Sequence, residues 1–106
     1  MDFYDLLKKY NLTISVVESC TGGYLSHQLS KKAGSSKYYK GGIIAYNKDV
    51  KENILGVGRE VDAVSEKCAN QMVTGLQKII DSDIYISVTG FAGPSAEPMN
   101  LVGTIF

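Results

Sequence analysis

The chain has 106 residues, of which 44% are hydrophobic and 21% charged, so it is long and apolar enough to fold as one domain around a core. Its 11 basic and 11 acidic residues leave no net charge, and no basic cluster exceeds a pair, which argues against a nucleic-acid partner. No apolar run could cross a bilayer and the acidic N-terminus is unlike a signal peptide, so we expect no membrane partner and a cytoplasmic location.

The first elements in chain order are a helix, a strand and a second helix. The first helix is predicted to end near Asn11, because apolar residues recur at helical spacing before it, at Phe3, Leu6, Leu7 and Tyr10. Residues 13–17 form an apolar run that predicts a buried strand. The helix after it is predicted over residues 21–33, with Gly34 as its C-terminal stop.

The middle of the chain adds a strand and two helices. Residues 41–46 predict the strand, and Asn47 is a good N-cap for a short helix through Leu55, which Gly56 closes. Ser65 is the expected N-cap of a fourth helix, whose apolar stripe consists of Cys68, Met72, Leu76, Ile79 and Ile80.

Two more strands are predicted, over residues 84–88 and 101–106. Strands that alternate with helices indicate an α/β fold, because crossover helices join parallel strands and cover the faces of their sheet. We therefore expect a single domain over residues 1–106, with three layers and a largely parallel or mixed sheet.

Polar residues and glycines cluster where the first three strands end. The chain reads Glu-Ser-Cys-Thr-Gly-Gly over residues 18–23, Tyr-Asn-Lys-Asp-Val-Lys over 46–51 and Thr-Gly-Phe-Ala-Gly-Pro over 89–94. Ligands of open α/β sheets bind outside the C-terminal ends of the strands. The three segments are therefore expected to meet at one crevice.

The first of these segments suggests a site for an anion. Gly22 and Gly23 would let the backbone approach a ligand closely, and free N–H groups at the start of the next helix would hold a phosphate or an oxyanion. A tight strand-to-helix turn without a ligand accounts for the glycines equally well. Glu18 would either accept backbone hydrogen bonds from the turn or stand in solvent.

Two side chains of the same segment are candidate nucleophiles. Ser19 needs a base, and the only histidine, His27, lies about 12 Å further along the predicted helix. A lysine is the remaining base, but the sequence does not choose between Lys48 and Lys51. Cys20 is the rival nucleophile, because a thiol at a helix N-terminus is activated.

A tyrosine, the histidine and the two cysteines complete the list of candidate site residues. Tyr46 would donate a hydrogen bond or relay a proton, or would be only a half-buried strand aromatic. One histidine and two cysteines, Cys20 and Cys68, without a Cys-x-x-Cys spacing, predict reduced thiols and no metal site.

Five motifs in register then carry a family resemblance. They are Glu-Ser-Cys-Thr-Gly-Gly, Gly-Gly-Ile-Ile-Ala-Tyr-Asn-Lys-Asp-Val-Lys, Ala-Val-Ser-Glu, Val-Thr-Gly-Phe-Ala-Gly-Pro and Val-Gly-Thr. Together they resemble the CinA C-terminal domain family of competence/damage-inducible proteins, over about residues 6–106. Active members of that family are nicotinamide mononucleotide amidases.

The resemblance implies hydrolysis of nicotinamide mononucleotide to nicotinic acid mononucleotide and ammonia, within pyridine-nucleotide recycling and without a cofactor or metal. The family's nucleophile falls on Ser19, its lysine partner on Lys51 rather than Lys48, and its motif tyrosine on Tyr46. A homodimer is also implied. The expected substrate-binding residues are Cys20, Thr21, Gly22, Gly23, Thr89, Gly90 and Gly93.

The chain departs from the family pattern in three places. Asp62 replaces a glycine, and Asn100-Leu101 replaces Lys-Pro. The chain is also expected to lack the C-terminal part of the family domain, including an arginine that helps to bind substrate. Two alternatives therefore stand beside the amidase: a catalytically silent module that binds a nucleotide or a protein, and a thiol enzyme that uses Cys20.

Overall fold

The structure is a computed structural model, and it describes residues 2–90. Four α-helices and three strands alternate along these residues, with a short 3₁₀ turn before the second strand. In chain order they are α1 Phe3–Lys9, β1 Ile14–Glu18, α2 Tyr24–Ser30, the 3₁₀ turn Ser35–Lys37, β2 Tyr39–Ile44, α3 Lys48–Asn53, α4 Glu66–Ile79 and β3 Ile84–Val88. The strand predicted over residues 101–106 and the site residue Gly93 lie outside the described residues.

The three strands form one parallel sheet with the order β2-β1-β3. Glu18, the last residue of β1, pairs with Ile44 on one side and with Val88 on the other. All three strands therefore end at the same edge, as the sequence predicted. The chain is confirmed as an α/β domain with a parallel sheet.

Helices pack on both faces of this sheet. Ile14 and Val16 point to one face, into a buried cluster with Leu7 of α1 and Leu29 of α2. Val17 points to the other face, into a second cluster that contains Ala45, Leu55, Val57, Val61, Cys68, Met72 and Leu76. Side chains alternate along a strand, so β1 connects two cores and the three-layer prediction is confirmed.

Side-chain caps begin three of the four described α-helices, two of them at predicted positions. The Asn47 side chain accepts a hydrogen bond from the Asp49 N–H at 2.7 Å, and the Ser65 hydroxyl accepts one from the Cys68 N–H at 3.0 Å. Asp2 caps α1 in the same way. These bonds satisfy N–H groups that have no partner within the helix, which confirms both predicted caps.

Several predicted boundaries are wrong. α2 spans Tyr24–Ser30 rather than residues 21–33, and β2 spans Tyr39–Ile44 rather than 41–46. The helix starts late because Gly22 and Gly23 have φ values of 61° and 106°, which are incompatible with a right-handed helix. Ile79 of the predicted apolar stripe is half exposed.

Over residues 2–90, none of the helices combines the length and the apolar character needed to span a bilayer.

Candidate active site

The candidate site lies at the edge where the three strands end. The backbone hydrogen bonds continue one residue past the strands: the Ser19 N–H donates to the Val88 carbonyl at 3.0 Å, and the Ala45 N–H donates to the Glu18 carbonyl at 2.7 Å. Ser19 is buried here. The sheet therefore fixes the backbone of the candidate nucleophile from both sides.

A tight turn follows Ser19. The Gly22 N–H donates back to the Ser19 carbonyl at 3.1 Å, and the Tyr24 N–H donates to the Thr21 carbonyl at 3.2 Å. Gly23 packs against β2 so closely that a Cβ atom there would stand 2.9 Å from Cδ1 of Ile44. Ile44 is exposed and its end methyl could move aside, so it is the positive φ of 106° that favours glycine at this position.

Glu18 lies directly under the turn and is fully buried. Its Oε1 accepts hydrogen bonds from the Thr21 hydroxyl and the Leu25 N–H, both at 2.7 Å. Its Oε2 accepts from the Ser26 N–H at 2.8 Å and from the Ser26 hydroxyl at 2.5 Å. Burial alone would raise the pKa of this carboxyl, but the four hydrogen bonds outweigh it and lower the pKa. Glu18 is therefore an ionised residue of the interior.

This arrangement corrects the prediction that the start of α2 holds a ligand anion. The N–H groups of Leu25 and Ser26 already bind the Glu18 carboxylate. Among the described residues, the N–H groups of the turn without an acceptor are those of Cys20, Thr21 and Gly23. An oxyanion would have to bind these groups rather than the helix.

Lys51 is the buried lysine of the site, with only 4% of its surface exposed. It lies on α3, and its Nζ is 3.5 Å from the Tyr46 carbonyl oxygen. Burial lowers the pKa of Lys51, and the thiols of Cys68 and Cys20 oppose this shift. Lys48 of the same helix is exposed. Burial thus favours Lys51 over Lys48 as the candidate base, because a buried amine loses its charge more readily. The catalytic role of Lys51 stays a prediction.

The other two polar candidates occupy contrasting environments. Tyr46 is 72% exposed, so it lies at the surface of the site instead of being half buried. Thr89 is 1% exposed, and its hydroxyl donates to the Ala63 carbonyl at 2.5 Å. This bond ties the end of β3 to the loop before α4. Gly90 follows Thr89 and is half buried. The roles of Tyr46, Thr89 and Gly90 toward a substrate stay predictions.

The competing nucleophile and base are placed less favourably. Cys20 is half buried, and α2 begins only at Tyr24, so its thiol is not at the helix N-terminus that was expected to activate it. Cys68 is buried in the core, as predicted. His27 is exposed on α2. Within the part of the chain that the structure describes, no three metal-ligating side chains come together.

Sequence reasoning left the role of Glu18 open, and it did not find the Ala63 carbonyl. An acidic residue directly after the strand residues Ile-Ser-Val-Val, followed by Ser-Cys-Thr-Gly-Gly, was the available signal for Glu18. Carboxylates are rarely buried without partners. A glutamate at the end of a buried strand is therefore expected to accept hydrogen bonds from the residues that follow it. No side-chain pattern could have indicated a backbone carbonyl.

Comparison with known proteins gives consistent matches. The model of the CinA C-terminal domain matches residues 2–106. A CinA-like protein of Thermotoga maritima is 44% identical over 106 residues, which cover 95% of this chain and 26% of that protein. The chain thus spans about a quarter of the length of the curated relatives it matches.

Solved structures agree with this assignment. A competence damage-inducible protein A of Klebsiella pneumoniae superposes with a TM-score of 0.90 at 33% identity, over 96% of this chain and 66% of that one. A competence/damage inducible protein of Agrobacterium tumefaciens gives a TM-score of 0.86 at 36% identity, over 95% and 64%. By family model, sequence identity and fold, the chain belongs to the CinA C-terminal domain family.

Proposed function

We propose that this chain is an amidase that hydrolyses the carboxamide of nicotinamide mononucleotide. The observation that carries the proposal is the burial of Lys51, whose pKa is lowered, at the same sheet edge as the buried Ser19. A lysine that is partly neutral can serve as the base that a serine nucleophile needs. The family resemblance supplies the substrate.

In the first half of the proposed reaction, the neutral amine of Lys51 accepts the Ser19 hydroxyl proton while the Ser19 oxygen bonds to the carboxamide carbon. The N–H groups of Cys20, Thr21 and Gly23 donate to the oxyanion that forms. The carbon–nitrogen bond then breaks. Lys51 returns the proton to the leaving nitrogen, and ammonia departs.

In the second half, water attacks the ester on Ser19 and gives a proton to Lys51. Lys51 passes that proton to the Ser19 oxygen as the ester bond breaks. The new carboxyl group gives the second proton of the water to solvent, nicotinic acid mononucleotide leaves as a carboxylate, and the enzyme is restored. In this proposal the exposed Tyr46 contacts the substrate. Thr89 borders the site at the end of β3, with its hydroxyl bonded to the Ala63 carbonyl.

The test is ammonia release from nicotinamide mononucleotide by wild type, Ser19→Ala and a matched control, Ser36→Ala. Ser36 is an exposed serine in the 3₁₀ turn, so its variant should keep wild-type activity. Ser19→Ala should lose activity by several orders of magnitude, because the proposed ester forms on the Ser19 oxygen. Undiminished release by Ser19→Ala would refute the nucleophile.

A silent binding module gives a different result. Wild type would then be folded, as judged by circular dichroism, would bind nicotinamide mononucleotide in a calorimeter and would release no ammonia. A thiol enzyme would lose activity in Cys20→Ala and keep it in Ser19→Ala. Ammonia release by wild type, Ser19→Ala and Cys20→Ala, together with the binding measurement on wild type, separates the amidase from both alternatives.

A further inference from the structure

The buried carboxylate of Glu18 has no part in the proton transfers described above. It nevertheless forms the most concentrated set of side-chain hydrogen bonds at the site, with four donors on three residues. One donor, the Thr21 hydroxyl, lies inside the turn after Ser19. The other three, on Leu25 and Ser26, belong to α2. The carboxylate therefore connects the turn to the helix that follows it.

The same carboxylate determines which N–H groups stay available. It binds the N–H groups of Leu25 and Ser26, and the turn's own bonds bind those of Gly22 and Tyr24. Within residues 2–90, the N–H groups of Cys20, Thr21 and Gly23 are left without an acceptor.

We propose that Glu18 is a positioning residue for catalysis, which acts by holding the turn so that the Ser19 hydroxyl and the free N–H groups of Cys20, Thr21 and Gly23 keep their reactive geometry. This inference rests on the proposed amidase. Glu18 does not touch substrate. Its fully buried side chain acts through Thr21 and through the start of α2.

A glutamine of the same size replaces it only in part. The glutamine oxygen can accept one pair of the four hydrogen bonds, but its NH₂ group would then face a backbone N–H that cannot accept, beside a hydroxyl that would have to reverse its bond. An aspartate keeps the charge but is shorter by one methylene, so it cannot reach both groups of donors. Small displacements of a nucleophile lower the rate of the chemical step more than they weaken substrate binding.

The experiment compares wild type, Glu18→Gln, Glu18→Asp and Ser26→Ala for ammonia release from nicotinamide mononucleotide. We expect kcat to fall about 100-fold in Glu18→Gln, with KM almost unchanged. Ser26→Ala removes a single hydroxyl donor and keeps the charge, so we expect a smaller fall in kcat, again without a change in KM. If Glu18→Gln does not fold, the fall of kcat in Ser26→Ala tests the proposal in its place.

A structural control separates positioning from loss of stability. Leu7→Ala opens the core on the α1 side of the sheet and should lower the free energy of unfolding without changing kcat. The reaction of Ser19 with a fluorophosphonate probe, measured by mass spectrometry, gives a second readout. Labelling should slow in Glu18→Gln and stay at the wild-type rate in Leu7→Ala.

The outcomes are distinguishable. A wild type that is folded but neither releases ammonia nor reacts with the probe overturns the proposed function, and this inference with it. Wild-type turnover with undiminished kcat and labelling in Glu18→Gln and Ser26→Ala overturns the inference alone. Equal losses of kcat in Glu18→Gln and Leu7→Ala would make Glu18 a structural residue only.

Discussion

Lys51 and Lys48 show how much burial changes the chemistry of one residue type. The two lysines lie less than a turn apart on α3. Lys51 points into the protein, where desolvation lowers its pKa, whereas Lys48 stays in water. An ammonium group must lose its proton before it can act as a base. The proposed base is therefore Lys51 rather than Lys48, because burial favours the neutral amine.

The two lysines form a matched pair for mutation. Lys51→Met should lower kcat/KM for nicotinamide mononucleotide by roughly 100- to 10,000-fold, the usual contribution of a general base, and Lys48→Met should leave it unchanged. In wild type, kcat/KM should rise with pH through a midpoint below 10.5, the ordinary pKa of lysine, because the neutral amine is the active form. Steady-state ammonia assays across pH would measure both effects. Equal activity of the two variants would remove Lys51 from the mechanism.

At the scale of elements, α4 lies unusually close to the end of α3. A Cβ atom on Gly75 would overlap the Leu55 carbonyl oxygen and stand 2.8 Å from the carbonyl carbon. Glycine inside a helix normally destabilises it by about 0.5–1 kcal/mol relative to alanine. Gly75 is kept here because the backbone after α3 occupies the space of a side chain.

Gly75→Ala should therefore destabilise the protein, contrary to helix propensity. The clash is with backbone that cannot rotate away, so we expect a loss of about 1–3 kcal/mol in the free energy of unfolding. Thr74→Ala is the control on the same helix, because Thr74 is exposed and alanine has the higher propensity. Urea unfolding of both variants would measure the difference. A stabilised Gly75→Ala would show that α3 and α4 are further apart.

The elements also show what sequence could predict. Periodicity located β1, β3 and α4 closely, because their apolar patterns follow directly from burial on a sheet or a helix face. The start of α2 was missed because Gly22 and Gly23 take positive φ, and the spacing of apolar residues does not record the sign of φ. The candidate site was located by strand-end residues alone, but the burial of Lys51 depends on packing between distant segments.

The whole molecule combines a stable parallel sheet with a destabilising group at its edge. Most of the buried residues are apolar, and burying them stabilises the fold. Lys51 has the opposite effect, because its charge is removed from water without a carboxylate partner within the described residues. Functional sites commonly keep such groups at the expense of stability.

Lys51→Met should therefore stabilise the whole protein while it lowers its activity. The pKa of Lys51 is lower in the folded state than its ordinary value of 10.5, so between these two values the unfolded chain binds more protons and stability rises with pH. Below the folded-state pKa the penalty is fully present, and methionine removes it. At pH 7, Lys51→Met should need more urea to unfold than wild type, whereas Lys48→Met should differ from wild type by less than about 0.5 kcal/mol. The difference between Lys51→Met and wild type should shrink as pH rises toward 10.5, and a difference that is constant with pH would show that hydrophobic packing, rather than the buried charge, sets it.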